Sequence, residues 1–164
     1  MKVFGVTGWK NTGKTGLMER LVTEITARGH RVSTIKHAHH STDVDQPGRD
    51  SYRHREAGAT EVMLASPNRW ALMHELRGAP EPPLDALLEK LSPVDLVLIE
   101  GFKREPHPKI ETYRSTVAKS LLAERDDTIR AIAADCAVQS GGRPVFDLDD
   151  TAGIAGFILR EVGL

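Results

Sequence analysis

A three-layer α/β fold around a mainly parallel central sheet is what this chain of 164 residues predicts, on three observations. Short β-rich runs alternate with amphipathic helical segments, the order that wraps helices around a parallel sheet. The run DLVLIEG, Asp95 to Gly101, is apolar from Leu96 to Ile99 without alternation, as a strand covered on both faces must be. A glycine-rich turn, GWKNTGKT from Gly8 to Thr15, stands between the first strand and the first helix.

Each element has its own local reason. Val3, Phe4, Val6 and Thr7 form the opening β-rich run. After Thr15, Leu17, Met18, Leu21, Val22 and Ile25 fall on one face of a helix that Gly29 ends. RVSTIK, Arg31 to Lys36, reads as the second strand, and a long polar segment follows it. TEVMLAS then reads as a strand with WALMHEL as its neighbour, and Pro80, Pro82 and Pro83 form a connector. A short amphipathic helix is expected over 84–91, ahead of the buried strand. PKIETYR reads as a strand, while VAKSLLAERDD is open between a helix and a strand with a loop. IRAIAAD and RPVFDLD read as two more strands. Asp150 or Thr151 caps a last helix that carries Ile154, Phe157, Ile158 and Val162 on one face.

Composition bounds the function classes. A chain of this length is expected to be one domain, residues 1–164, and buries about 70% of its unfolded surface, enough for a core without metal or disulfide. With 22 basic and 23 acidic residues the net charge is −1, which offers no global drive toward nucleic acid or an anionic membrane. The single cysteine, Cys136, excludes an internal disulfide and a C-x-x-C pair. No apolar run approaches the roughly 18 residues of a membrane span, and the N-terminus lacks a basic-then-apolar signal pattern. A cytoplasmic protein is the expectation.

GWKNTGKT matches G-x-x-x-x-G-K-[ST] at every fixed position, between a strand and a helix as its mechanism requires. Gly8 and Gly13 let the backbone curl so that successive N–H groups converge on phosphate oxygens, and the helix that follows presents its positive end to the same anion. Lys14 is the residue that reaches the β- and γ-phosphates, and the Thr15 hydroxyl completes magnesium coordination. The fold is therefore that of a P-loop NTPase, binding a nucleoside triphosphate with Mg2+. Glu100 ends the buried strand LVLIE, where ligands gather in open parallel sheets, and is the candidate carboxylate for the magnesium side. Asp95 is its rival at the far end of the strand.

KHAHHSTDVDQPGRDSYRHRE concentrates four of the seven histidines, His37, His39, His40 and His54. Clustered imidazoles and carboxylates suit zinc or nickel. A nucleotide-responsive switch, with Asp43 or Asp45 touching the magnesium shell or the attacking water, is the second reading, and a solvated loop is the third. Arg49, Arg53 and Arg55 with Ser51 offer a small anion site, since guanidinium forks suit phosphate.

GWKNTGKT, TIKHAHHSTDVDQPGRDSYRHREAGA and DLVLIEGFKREPHPKIETYR together resemble the molybdopterin-guanine dinucleotide biosynthesis adapter (MobB) family, from the first strand to about Arg114. The resemblance implies a P-loop GTPase-like fold, GTP binding with weak hydrolysis, and a homodimer. It also implies association with the nucleotidyltransferase that joins GMP to molybdopterin and with the molybdenum-inserting enzyme. Carried over by motif, the nucleotide residues are Gly8, Lys10, Asn11, Thr12, Gly13, Lys14 and Thr15, with Glu100 on the magnesium side. No [NT]-K-x-D guanine-reading motif is present, so guanine preference rests on the resemblance, and Asp135 in ADCA is a weak candidate for base recognition. No glutamine or arginine finger stands in a recognised position, in keeping with slow hydrolysis. The expected role is an adapter that is at most a weak GTPase. Two alternatives stand beside it: an ATP-dependent small-molecule kinase or synthetase, and a metal-insertion GTPase that uses the His-rich loop.

Overall fold

The computed structural model describes residues 1–38, 43–117 and 119–164. In chain order the elements are β1 (Lys2–Thr7), α1 (Lys14–Ala27), β2 (Val32–Lys36), α2 (Asp50–Glu56), β3 (Glu61–Ala65), β4 (Trp70–His74), α3 (Leu84–Leu88), β5 (Leu96–Glu100), β6 (Lys109–Tyr113), β7 (Ile129–Ala134), β8 (Val145–Asp147) and α4 (Thr151–Val162). They divide into two units: Met1–His37 with Leu88–Leu164, and the inserted stretch Ala38–Leu87.

The first unit is a six-stranded sheet in the order β2-β5-β1-β6-β7-β8, with every neighbouring pair parallel. β1 sits between β5 and β6, so the chain leaves β1 toward one edge through α1 and later crosses over β1 to build the other edge. The carboxyl end of β1 is thus the switch point at which an open parallel sheet leaves a crevice for ligands. α1 and α4 cover one face and bury Phe4, Val6, Leu17, Leu21, Leu98, Ile110, Ile154 and Ile158 against it. Phe157 of α4 meets Phe4 edge-on, with ring centres 6.3 Å apart. The opposite face carries Leu121, Ala123, Ile129, Ile132 and Ala134 as a second cluster.

The local stops fall where the residues demand them. Gly29 has φ of 92° after α1, a backbone state that a side chain would oppose. Asp150 is the cap of α4, its carboxylate accepting the Gly153 N–H at 2.9 Å. PKIETYR holds β6, a 3-10 turn at Ser115–Val117 follows it, and the segment left open between helix and strand holds a second such turn at Leu122–Glu124. The cause is a tertiary contact. Buried Glu111 on β6 accepts the backbone N–H groups of Leu122 and Ala123 at 2.8 and 2.9 Å, which ties the second turn to the sheet. Burial pushes the Glu111 carboxyl up, against those two hydrogen bonds and with help from Glu124 and Asp126.

The second unit pairs β3 with β4 as an antiparallel hairpin, as TEVMLAS and WALMHEL predict. α2 lies inside the stretch that reads as a polar segment. Its sequence, DSYRHRE, has no apolar stripe and buries only Ser51, so periodicity has nothing to register.

Candidate functional site

The crevice at the carboxyl end of β1 is built by the loop Gly8–Gly13. Gly8 has φ of 141°, and a Cβ there would come within 2.6 Å of the Thr112 carbonyl, so only glycine fits. Asn11 and Gly13 are also left-handed, at 68° and 95°, and asparagine tolerates that state better than most residues. The Thr12 hydroxyl is buried. It donates to the Trp9 carbonyl at 2.8 Å and lies 2.7 Å from the Thr112 hydroxyl on β6. The Trp9 indole N–H donates to the Ser120 carbonyl at 2.9 Å, with the Lys103 and Lys119 ammonium groups 4.7 and 4.4 Å from its ring centre. The loop is therefore tied to its surroundings at both ends.

Lys14, the first residue of α1, folds back over the loop and donates to the carbonyls of Gly8 and Trp9 at 3.1 and 2.6 Å. Burial holds its pKa below the ordinary lysine value; Lys103 and Lys36 act the same way, and Glu100 opposes them. A cation held among other cations and partly out of water favours an anionic ligand. Thr15 donates its hydroxyl to Glu100 Oε1 at 3.0 Å, and Glu100 Oε2 lies 3.5 Å from the Lys36 ammonium. Glu100 ends β5 directly beside β1, opposite both Val6 and Lys36 in register.

Lys10, Asn11, Gly13, Lys14, Thr15, Gly16 and Glu100 line one open cleft of about 650 Å³. Gly8 and Thr12 shape its floor through the contacts above. Arg114 and Thr116 line it too, and sequence reasoning missed both as site residues. They follow β6, about a hundred residues from the loop, and no motif links them to it. Hydroxyl and carboxylate oxygens suit magnesium, so the Thr15–Glu100 pair fits the expected ion.

Other candidates have different surroundings. Asp43 and Asp45 belong to the second unit, where the Arg55 guanidinium lies 2.7 Å from Asp43 and 3.4 Å from Asp45, and 2.8 Å from Glu75. The hydrogen bond from Arg55 holds the Asp43 carboxyl below its usual range. Ser51 donates to Asp45 at 3.0 Å, so Arg55 and Ser51 face carboxylates and do not form the small anion site offered for them. His39 and His40 lie outside the described residues. The His37 ring stacks on Phe102 at 4.4 Å, and the His37 backbone N–H donates to the Glu100 carbonyl at 2.9 Å. Among the described residues no group of three or more His, Cys, Asp or Glu side chains is placed to hold a metal. Asp95 takes the Arg31 N–H at 2.7 Å, and Asp135 at the end of β7 accepts the Ser115 N–H at 2.8 Å.

Comparison with known proteins bears on this site. The family pattern described as "Molybdopterin guanine dinucleotide synthesis protein B" matches residues 3–135. The molybdopterin-guanine dinucleotide biosynthesis adapter protein of Haemophilus influenzae is 43% identical over 159 residues, covering 95% of this chain and 86% of its own. The Escherichia coli adapter is 39% identical over 157 residues, covering 93% and 88%. A crystal structure of a MobB homolog from Bacillus stearothermophilus superposes with a TM-score of 0.76 at 31% identity over 99% of both chains.

Proposed function

The chain belongs to the MobB family, and from that membership together with its phosphate loop we propose that it is a GTP-binding adapter in molybdopterin guanine dinucleotide biosynthesis. The observation that carries the nucleotide part is the Lys14 ammonium folded over the Gly8 and Trp9 carbonyls beside the Thr15–Glu100 pair. Lys14 would hold the β- and γ-phosphates, the loop N–H groups would cradle them, and Thr15 with Glu100 would hold Mg2+. The ion, when bound, supplies charge neutralisation between the phosphates. Asp43 and Asp45 enter as candidates for the attacking water. Their engagement with Arg55 accords with slow turnover, because a carboxylate held by a guanidinium is a poor base.

The adapter works in the cytoplasm as a homodimer, beside the nucleotidyltransferase and the molybdenum-inserting enzyme. An exposed free thiol at Cys136 accords with a reducing compartment. No described helix is long and apolar enough to cross a membrane. Nucleotide occupancy tunes the partner contact, and hydrolysis is incidental to it.

Calorimetric titration with Mg·GTP and Mg·ATP tests the reading, with Lys14→Ala as control. Tighter binding of GTP and co-elution with the nucleotidyltransferase are expected. Preference for ATP, with ADP formation that depends on a small acid or alcohol, would replace the adapter with a kinase or synthetase.

A further inference from the structure

The strand order β5-β1-β6 gives the phosphate loop two unlike flanks. On the β5 flank stand Glu100, Thr15 and Lys36, a carboxylate with a hydroxyl and an ammonium around it. On the β6 flank stands Arg114, the residue after Tyr113 ends the strand. Its guanidinium reaches over the loop: a Cβ built on Gly13 would lie 3.3 Å from Arg114 Nε and 3.5 Å from its Nη2. The guanidinium thus lies in contact range of Gly13 at the start of α1.

The segment that carries Arg114 is fixed. Thr112, two residues earlier, is buried and lies 2.7 Å from the loop's own Thr12 hydroxyl. The next residue, Ser115, gives its N–H to the Asp135 carboxylate at 2.8 Å. The backbone is held on both sides of Arg114, and its side chain lines the same cleft as Lys14 with the Asp135 carboxylate as a neighbouring charge. We propose that Arg114 is a positioning residue that holds the phosphate chain on its nucleoside side, contacting the α- and β-phosphates and not the terminal one.

The assignment of phosphates follows from the two flanks. A divalent ion serving the outer phosphates would need oxygen ligands, and the Glu100 carboxylate with the Thr15 hydroxyl on the β5 flank would supply them. A nucleotide lying across the loop then has its terminal phosphate toward β5 and its nucleoside toward β6. The guanidinium fork suits bidentate capture of the inner phosphate oxygens. This inference rests on the phosphate-loop reading above.

The test is titration of Arg114→Ala and Arg114→Lys with Mg·GTP and Mg·GDP, beside the unmutated chain, with single-turnover hydrolysis at saturating GTP. Arg114 is exposed, so both variants should fold, which circular dichroism checks. Arg114→Ala is expected to weaken GTP and GDP by the same factor, roughly ten- to a hundredfold, with part restored by lysine. Unchanged affinity for both nucleotides overturns the inference, and so does a loss confined to GTP or to the hydrolysis rate, either of which puts Arg114 at the terminal phosphate. An unmutated chain that binds neither nucleotide overturns the phosphate-loop reading itself, together with this one.

Discussion

At Lys14 a single ammonium is folded back over the glycine-rich loop. It contacts loop carbonyls at 3.1 and 2.6 Å, bonds that on the proposed reading phosphate oxygens would replace. Lys14→Ala removes a charge-assisted interaction of about 1.5–3 kcal/mol and should weaken Mg·GTP binding by roughly 10- to 150-fold. Calorimetry reads this directly, and undiminished affinity would remove the loop from consideration as the site. Glu100→Gln behaves differently, because the amide oxygen can still accept the Thr15 hydroxyl that Glu100 Oε1 accepts at 3.0 Å. What is lost is the negative charge that would stand beside the proposed Mg2+. Hydrolysis measured across a magnesium series should therefore fall more than nucleotide affinity, whereas equal losses would make Glu100 a structural residue.

The elements carry a second constraint, at the crossing of β1 and β6. Gly5 lies mid-strand in β1, where a Cβ would sit 2.5 Å from His107 Nε2 and 2.9 Å from Lys109 Cγ. Both neighbours are confined. Lys109 is fully buried, donating to the Thr128 hydroxyl at 2.6 Å and to the His107 carbonyl at 3.0 Å. Gly5→Ala should destabilise by about 1–3 kcal/mol through overpacking, seen as a lowered midpoint in urea unfolding with unchanged slope. An unchanged midpoint would mean that the imidazole has another place to go. Such a constraint has no mark in KVFGVT, where a glycine inside a strand signals close approach of something without saying what.

For the molecule as a whole, His107 governs a pH window. Both ring nitrogens are buried without a hydrogen-bond partner, and burial, with Lys109 adding to it, pushes the imidazole pKa down to about 4. The unfolded chain takes up that proton near pH 6.5 while the native state refuses it. The contribution of His107 to stability is thus complete above the unfolded value and is lost as pH falls from there toward about 4. Glu111, whose carboxyl is raised, acts with the opposite sign above its ordinary 4.5. Comparing thermal midpoints of the unmutated chain and His107→Phe across this range isolates the histidine. The difference between them should shift in favour of the variant as pH falls, and parallel curves would show that the imidazole titrates normally.

What could be read before folding and what could not divide by distance along the chain. The Gly8–Thr15 turn was legible because its chemistry is local: two glycines, a lysine and a hydroxyl at adjacent positions dictate backbone conformations and donors without help from elsewhere. Glu100 was legible because a run of four apolar residues marks a buried strand, and the position after it is where such a strand meets ligand. The parallel sheet followed from the same runs. The rest needed strand order. Thr12 meets Thr112 across 100 positions, Thr15 meets Glu100 across 85, and Arg114 enters the cleft only because β6 packs against β1. The expectation of an anion site that includes Arg55 and Ser51 failed for a related reason. Spacing tells which side chains share a face, and the carboxylates of Asp43, Asp45 and Glu75 that engage them are brought there by packing. Local sequence chooses backbone geometry and the type of chemistry; long-range burial chooses which side chains are present to perform it.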